Sequence, residues 1–298
     1  MPGGPRKVVQ AGFITAANLS FLTIGFVGVR FALWRCKEQC SRSSDFKTFV
    51  ARASNMTSKV INLLERRARA SGPTAVNVLP SPTCVASALR MRMCPGDRAF
   101  DRFLPHELRV VSSRYWTPLV VALRAAEWFD ELNIRTLVDI GSGAGKFCVA
   151  TALASRVHVT GVEQRLRLVS AAHDLARLFE ADARVTFVHG TFGETVLPEA
   201  DAYYMYNPFG ENLFGPEDYL DNDVELSHAR QLRDLAAVKQ LLRDAPVGTC
   251  LLTYNGFGGE VPASYREIRV DRETPNVLRM WRKIRRANSG PPYASDAW

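Results

Sequence analysis

The chain has 298 residues, of which 47% are hydrophobic and 23% charged, so collagen-like and globally disordered structures are excluded. The net charge of +8 is uneven: residues 1–70 hold 12 Lys and Arg against three acids (+9), and residues 71–298 hold 26 against 27 (−1). A basic nucleic-acid-binding face on the larger part is therefore not supported, and no nucleic-acid partner is favoured.

The cysteines indicate a reducing compartment and no structural metal. They stand at positions 36, 40, 84, 94, 148 and 250. A chain of this length does not need a disulfide scaffold, and none of the spacings is that of a zinc site. We therefore expect no bound metal and a cytoplasmic location.

Residues 1–83 are predicted to form a basic N-terminal extension, with a linker over 71–83. Within it, residues 8–29 carry no charge, and a helix of that length would be about 33 Å long, enough to cross a bilayer. Three interpretations stay open: a membrane anchor or interfacial helix, an organelle-targeting segment, since no acid precedes Glu38, or neither. Residues 46–68 have the spacing of an amphipathic helix.

From residue 84 onward, short β-branched runs alternate with amphipathic segments of helical period. Helices are predicted over 107–113, 118–132, 146–155, 166–181 and 227–244, the second with Thr117 as N-cap and Pro118 in its first turn. Strands are predicted over 136–140, 157–162, 184–188, 202–206, 249–254, 265–270 and 277–284, the last two without a helix between them. The pattern predicts a Rossmann-like α/β fold with a mostly parallel seven-stranded sheet and a C-terminal antiparallel hairpin.

The turn after the first strand is rich in glycine and reads Asp-Ile-Gly-Ser-Gly-Ala-Gly-Lys over residues 139–146. A P-loop would need Gly where Ile140 stands and Ser or Thr where Phe147 stands, so this motif fails at two of four positions. A dinucleotide fingerprint would need its third Gly at Lys146, which weakens that interpretation.

The same turn resembles motif I of the class I S-adenosylmethionine (SAM)-dependent methyltransferases. The resemblance continues at Gly161-Val162-Glu163 and covers residues of about 107–286. It implies SAM as cofactor, a helical lead-in over 84–132 that covers the cofactor, and a SAM-binding methyltransferase domain over 133–298. The residues it places around SAM are Asp139, Gly141, Ser142, Gly143, Gly145, Glu163, Gln164, Gly190, Thr191, Asn207, Trp116 and Thr117.

The ribose and adenine contacts that the resemblance implies lie at the ends of the second and third strands. A carboxylate accepts two hydrogen bonds at once, so Glu163 at the end of the second strand suits the ribose hydroxyls. The resemblance puts Gln164 beside the adenine and residues 189–192 around its edge. This chain has His-Gly-Thr-Phe there, where the family often has Asp or Asn. The contact to the adenine amino group therefore stays open.

A second motif follows the fourth strand. Asn207-Pro208-Phe209 resembles the Asn-Pro-Pro-aromatic motif of N-methyltransferases, shortened by one Pro. The resemblance implies that the Asn oxygen and the next carbonyl accept hydrogen bonds from the target nitrogen, and that the aromatic ring packs on the target group. Residues 214–217, Phe-Gly-Pro-Glu, are weakly similar to Dot1-type lysine methyltransferases. We expect Tyr115, Tyr206 and Glu211 to contact substrate.

Charge near this motif favours a cationic acceptor. Nine acids and no Lys or Arg lie between Glu194 and Glu225, which predicts a negative field at the mouth of the site. The sequence therefore predicts N-methylation of an amine, such as a protein lysine. The alternatives are a small-molecule or nucleobase methyltransferase, an aminopropyl transferase, and an inactive SAM-binding scaffold.

Overall fold

A computed structural model describes residues 80–286 of the chain. Its centre is one sheet of seven strands, of which the first five are mostly apolar and β-branched and the last two carry several charged residues. In chain order the strands are β1 Thr136–Ile140, β2 His158–Glu163, β3 Val185–His189, β4 Ala202–Met205, β5 Cys250–Tyr254, β6 Tyr265–Asp271 and β7 Leu278–Lys283. The anchor, targeting and amphipathic-helix predictions for residues 1–79 lie outside the described residues.

The strand order across the sheet is β3-β2-β1-β4-β5-β7-β6. Strands β1 to β5 run parallel, whereas β7 pairs antiparallel with both β5 and β6. The predicted Rossmann-like fold with a C-terminal antiparallel hairpin is therefore confirmed. The order reverses between β1 and β4, and such a switch point opens a crevice at the carboxyl ends of the two strands.

Helices cover both faces of the sheet. They are α1 Pro82–Arg90, α2 Asp97–Asp101, α3 His106–Val110, α4 Ser112–Tyr115, α5 Leu119–Glu131, α6 Lys146–Ala154, α7 Leu166–Leu178 and α8 His228–Asp244. Alternate residues of β1 enter different cores: Leu137 packs with α5, α6 and α7, and Val138 packs with Val238 and Leu242 of α8. This alternation buries both faces of the strand, as expected for a central parallel strand.

The lead-in before β1 departs from the sequence predictions. The predicted helix over 107–113 is two short helices, α3 and α4, and α1 begins inside the predicted linker, with the Ser81 hydroxyl as its cap. The Thr117 cap is also wrong. Helix α5 begins at Leu119, whose N–H donates to Asp97 Oδ1 at 2.9 Å, while Thr117 Oγ1 bonds the Tyr204 hydroxyl at 2.7 Å. Tertiary partners therefore replace the local cap.

Candidate functional site

The glycine turn joins the end of β1 to α6 and touches two other segments. Gly141 and Gly143 have φ of 77° and 54°, a region that favours glycine. A Cβ at Gly141 would lie 2.9 Å from Pro208 Cβ, and a Cβ at Gly143 would overlap the Trp116 ring. Glycine is therefore needed at both positions for the turn to pack against the β4 loop and the lead-in.

Glu163 at the end of β2 is buried and fixed by the backbone. Its Oε2 accepts the Gly143 N–H at 3.0 Å and its Oε1 accepts the Arg165 N–H at 2.9 Å. Burial raises the pKa of this carboxyl, against the opposing effect of the Arg165 N–H and guanidinium. Each carboxylate oxygen has a second lone pair, so Glu163 can still accept hydrogen bonds from a ligand in the cleft.

A cleft of about 250 Å³ runs along the carboxyl ends of the central strands. The predicted site residues that line it are Tyr115, Trp116, Gly141, Gly143, Glu163, Gln164, Gly190, Tyr206, Asn207, Pro208, Phe209 and Glu211. The fold therefore brings the glycine turn, the β2 carboxylate and the Asn-Pro-Phe motif to one cavity, although Gly141 and Phe209 are 68 residues apart in the chain.

Five predicted cofactor residues lie elsewhere. Asp139, Ser142 and Thr117 line a smaller adjoining cavity of about 30 Å³. Gly145 and Thr191 line neither cavity. Gly145 is the N-cap of α6, packed on Phe187 and Ala172, and the Thr191 carbonyl accepts the N–H groups of residues 194 and 195. The structure therefore offers a packing role for Gly145 and a turn-forming role for Thr191.

Asp139 is a buried carboxyl behind the glycine turn. The Cys148 thiol donates to its Oδ2 at 3.1 Å. Burial raises its pKa to about 7, which the Cys148 hydrogen bond partly offsets and the charge of Glu163 reinforces. Asp139 therefore faces α6 and the smaller cavity.

A buried ion cluster at the start of α6 escaped the sequence analysis. Lys146 Nζ lies 2.7 Å from Asp97 Oδ1 and 2.7 Å from Asp101 Oδ1, and 3.3 Å from Ser112 Oγ. Ser112 Oγ also donates to Asp101 Oδ2 at 2.6 Å. The cluster ties the lead-in helices α2 and α4 to the helix that follows the glycine turn.

The lead-in supplies a cover for the turn. Trp116 Nε1 donates to the Leu108 carbonyl at 2.9 Å, which holds the ring over Gly143. The Tyr115 hydroxyl donates to the Asp218 carbonyl at 2.7 Å, in the loop after β4. The segment therefore closes one side of the cleft, and Trp116 is both a core aromatic and a cleft wall.

Asn207 stands in a strained turn directly after β4. Its φ is 39°, its N–H donates to the Gly256 carbonyl at 2.9 Å, and its carbonyl accepts the Gly210 N–H at 3.0 Å. These bonds fix the backbone, and no described residue hydrogen-bonds the side-chain amide. Phe209 is buried against Phe192 with ring centroids 5.8 Å apart, so much of its ring is already packed.

The acidic segment after β4 is largely neutralised by arginines. Five of the six acids in residues 211–225 form ion pairs, and these acids are Glu211, Asp218, Asp221, Asp223 and Glu225. Arg165 bridges two of them, with Nη2 3.0 Å from Glu211 Oε1 and Nε 2.7 Å from Asp221 Oδ1. Asp201 instead accepts N–H groups at the start of β1, away from the cleft. The predicted negative field therefore does not follow from the count of acids.

Six further polar residues line the cleft: Arg114, Arg165, Asn212, Arg230, Asp234 and Asn255. Arg230 Nε donates to Asp234 Oδ1 at 2.9 Å, an i,i+4 pair on α8. For Arg165 the sequence signal was its position two residues after Glu163, and for Arg230 and Asp234 it was their i,i+4 spacing on a predicted helix. Both are common on solvated surfaces and do not indicate a cleft by themselves.

Residues 80–286 contain neither a metal-binding cluster nor a membrane-spanning helix. Within that range, no group of three or more His, Cys, Asp or Glu side chains could hold a metal ion. The helices of the same range are too short or too polar to cross a bilayer.

No protein-family model and no curated protein matches the chain. Among solved structures it is similar to an RNA methyltransferase from Salinibacter ruber in complex with S-adenosyl-L-homocysteine, with 20% identity over 61% of this chain and 99% of that one (TM-score 0.43). It is also similar to a putative O-methyltransferase from Klebsiella pneumoniae, with 15% identity over 68% and 97% (TM-score 0.46). TrmN from Thermus thermophilus has 14% identity over 62% and 53% (TM-score 0.43). At these values no activity is carried over.

Proposed function

We propose that the chain is a SAM-dependent methyltransferase that transfers a methyl group to the nitrogen of an amine. One observation carries the proposal: the glycine turn, the Glu163 carboxylate and the Asn207-Pro208 turn line a single cleft at the carboxyl ends of β1, β2 and β4. An open α/β sheet binds its ligand at this position.

The residues present fit the cofactor. Glu163 would accept the ribose hydroxyls, since its carboxylate faces the cleft and the Gly143 and Arg165 N–H groups hold it in place. Gly141 and Gly143 let the backbone approach a ligand closely. Bound SAM supplies a methyl group already activated on a sulfonium, so the protein needs mainly to align the acceptor and exclude water.

The acceptor would be aligned by Asn207. Its turn is fixed by two backbone hydrogen bonds, so the side-chain oxygen can accept an N–H of an amine without reorganising the loop. Trp116 and Tyr115 close the cleft toward solvent on the lead-in side. A protein lysine or a small-molecule amine suits this arrangement, and the preference for an amine rests on Asn207 because the acidic segment is largely ion-paired.

The test separates binding from turnover. We expect Asn207→Ala to leave SAM affinity nearly unchanged and to lower methyl transfer at least tenfold, because it removes the acceptor contact and keeps the Glu163 contact to the ribose. Glu163→Ala should weaken SAM binding instead. Isothermal titration with SAM, together with transfer of labelled methyl into fractionated lysate, measures both effects. Equal loss of binding in the two variants contradicts the assigned roles.

The lysate fraction that takes up label decides the acceptor class. Label in protein supports a lysine acceptor, and label in small metabolites supports the small-molecule alternative. Label in nucleic acid overturns the amine proposal. SAM binding by a protein that labels no fraction supports the inactive scaffold.

A further inference from the structure

The Arg230–Asp234 pair is a charged group that the proposed chemistry leaves without a role. Both residues line the cleft, and both side chains are almost wholly buried. Burying a carboxylate and a guanidinium costs free energy that a single hydrogen bond between them does not recover. Only the Nε of Arg230 is used in that bond, so its terminal nitrogens and the second carboxylate oxygen of Asp234 can serve a ligand.

The pair lies near the segment that follows β3. Ala237, one helical turn after Asp234, has its Cβ 3.2 Å from the position of a Cβ at Gly193. Asp234 also interacts electrostatically with Glu194, which lies in the segment after β3. This places Asp234 at the part of the cleft lined by Gly190 and Phe192.

The β3 end itself supplies apolar surface there but no side-chain hydrogen bonds to a ligand. Phe192 and Phe209 line the cleft together, and Thr191 does not line it. His189 Nε2 is 3.0 Å from the Gln164 carbonyl, which occupies that nitrogen. A flat ring entering between Phe192 and the end of β2 would therefore have Gln164 on the β2 side and the Arg230–Asp234 pair on the α8 side.

We infer that the Arg230–Asp234 pair reads the edge of the adenine ring of SAM. This edge presents an amino donor beside a ring-nitrogen acceptor, and the pair presents a carboxylate acceptor beside guanidinium donors, so the two patterns are complementary. The inference rests on the proposed function and adds residues that determine base specificity. A phosphate or other anion suits the pair less, because Asp234 would repel it.

The test compares two nucleosides that differ only at this edge. S-adenosylhomocysteine carries the adenine edge, whereas S-inosylhomocysteine presents a carbonyl acceptor beside an N–H donor. We expect the unmodified protein to bind the adenosyl compound at least tenfold more tightly in isothermal titration. Asp234→Asn should lose at least tenfold for the adenosyl compound and little for the inosyl one. Asp244→Asn, near the exposed end of the same helix, should change neither affinity.

A double variant, Arg230→Met with Asp234→Leu, controls for a folding defect because it removes both charges and leaves neither buried without its partner. It should fold and bind the two compounds with similar affinity. Equal losses for both compounds in Asp234→Asn, or unchanged binding with a raised KM for the methyl acceptor, would overturn the inference and leave the proposed function standing. Failure of the unmodified protein to bind either compound would overturn the proposed function and this inference with it.

Discussion

Lys146 offers a sharp test of how the lead-in is held on the sheet. Its side chain is 3% exposed and contacts Asp101, which is 9% exposed, and Asp97, which is 45% exposed. Lys146→Met keeps a long unbranched side chain but removes the charge, which leaves Asp101 ionised and buried.

The expected cost comes mainly from Asp101. Removing one partner of a buried ion pair costs about 3–5 kcal/mol, whereas an exposed pair contributes at most about 1 kcal/mol. Asp97 is half exposed and can be hydrated. We therefore expect Lys146→Met to lower the free energy of unfolding by about 3 kcal/mol at neutral pH.

Urea denaturation of matched variants measures these values. Adding Asp101→Asn to Lys146→Met should recover most of the lost stability, because no buried charge is then unpaired. Asp97→Asn alone should cost about 1 kcal/mol or less, since Asn keeps an acceptor for the Leu119 N–H. If Lys146→Met costs no more than Asp97→Asn, or if the double variant is as unstable as Lys146→Met, the cluster does not hold the lead-in as described.

Two further predictions concern buried charges nearer the cleft. The Asp139 carboxyl has a pKa of about 7 in the folded chain and an ordinary value of 3.8 when unfolded, so the folded protein should lose roughly 4 kcal/mol of stability as the pH rises from about 4 to 7. Asp139→Asn should abolish this pH-dependent loss. Parallel pH profiles of the two proteins in urea denaturation would refute the prediction. Arg165→Met should remove the ion-pair partner that Glu211 and Asp221 share, which leaves Glu211 without an arginine and Asp221 with Arg167 alone. Protease cleavage within 211–223 should therefore accelerate at least tenfold over the unmodified protein, and unchanged cleavage would mean that other contacts hold the loop.

The central sheet could be predicted because its signals are local. The run Thr136–Ile140 is apolar and β-branched, is followed at once by a glycine turn, and forms β1 with the predicted bounds. The carboxyl ends of parallel strands share one edge, so Glu163 and Asn207 could be expected at one cleft from the sequence alone.

The lead-in and the acidic loop could not be predicted, because distant partners decide them. Thr117 and Pro118 have the local signature of a helix start, yet Asp97 supplies the acceptor for the first N–H of α5. The acids near Asp221 are a negative run in sequence, but Arg165 lies 56 residues away and neutralises them only in the fold. Local pattern gives no information on such pairs.

A crystal structure of the protein with bound S-adenosylhomocysteine tests the central claim most directly. We expect the ribose hydroxyls within hydrogen-bond distance of the Glu163 carboxylate and the sulfur directed toward the Asn207 side chain. A nucleoside bound outside the cleft, or lying in it with the ribose away from Glu163, would contradict the proposed function.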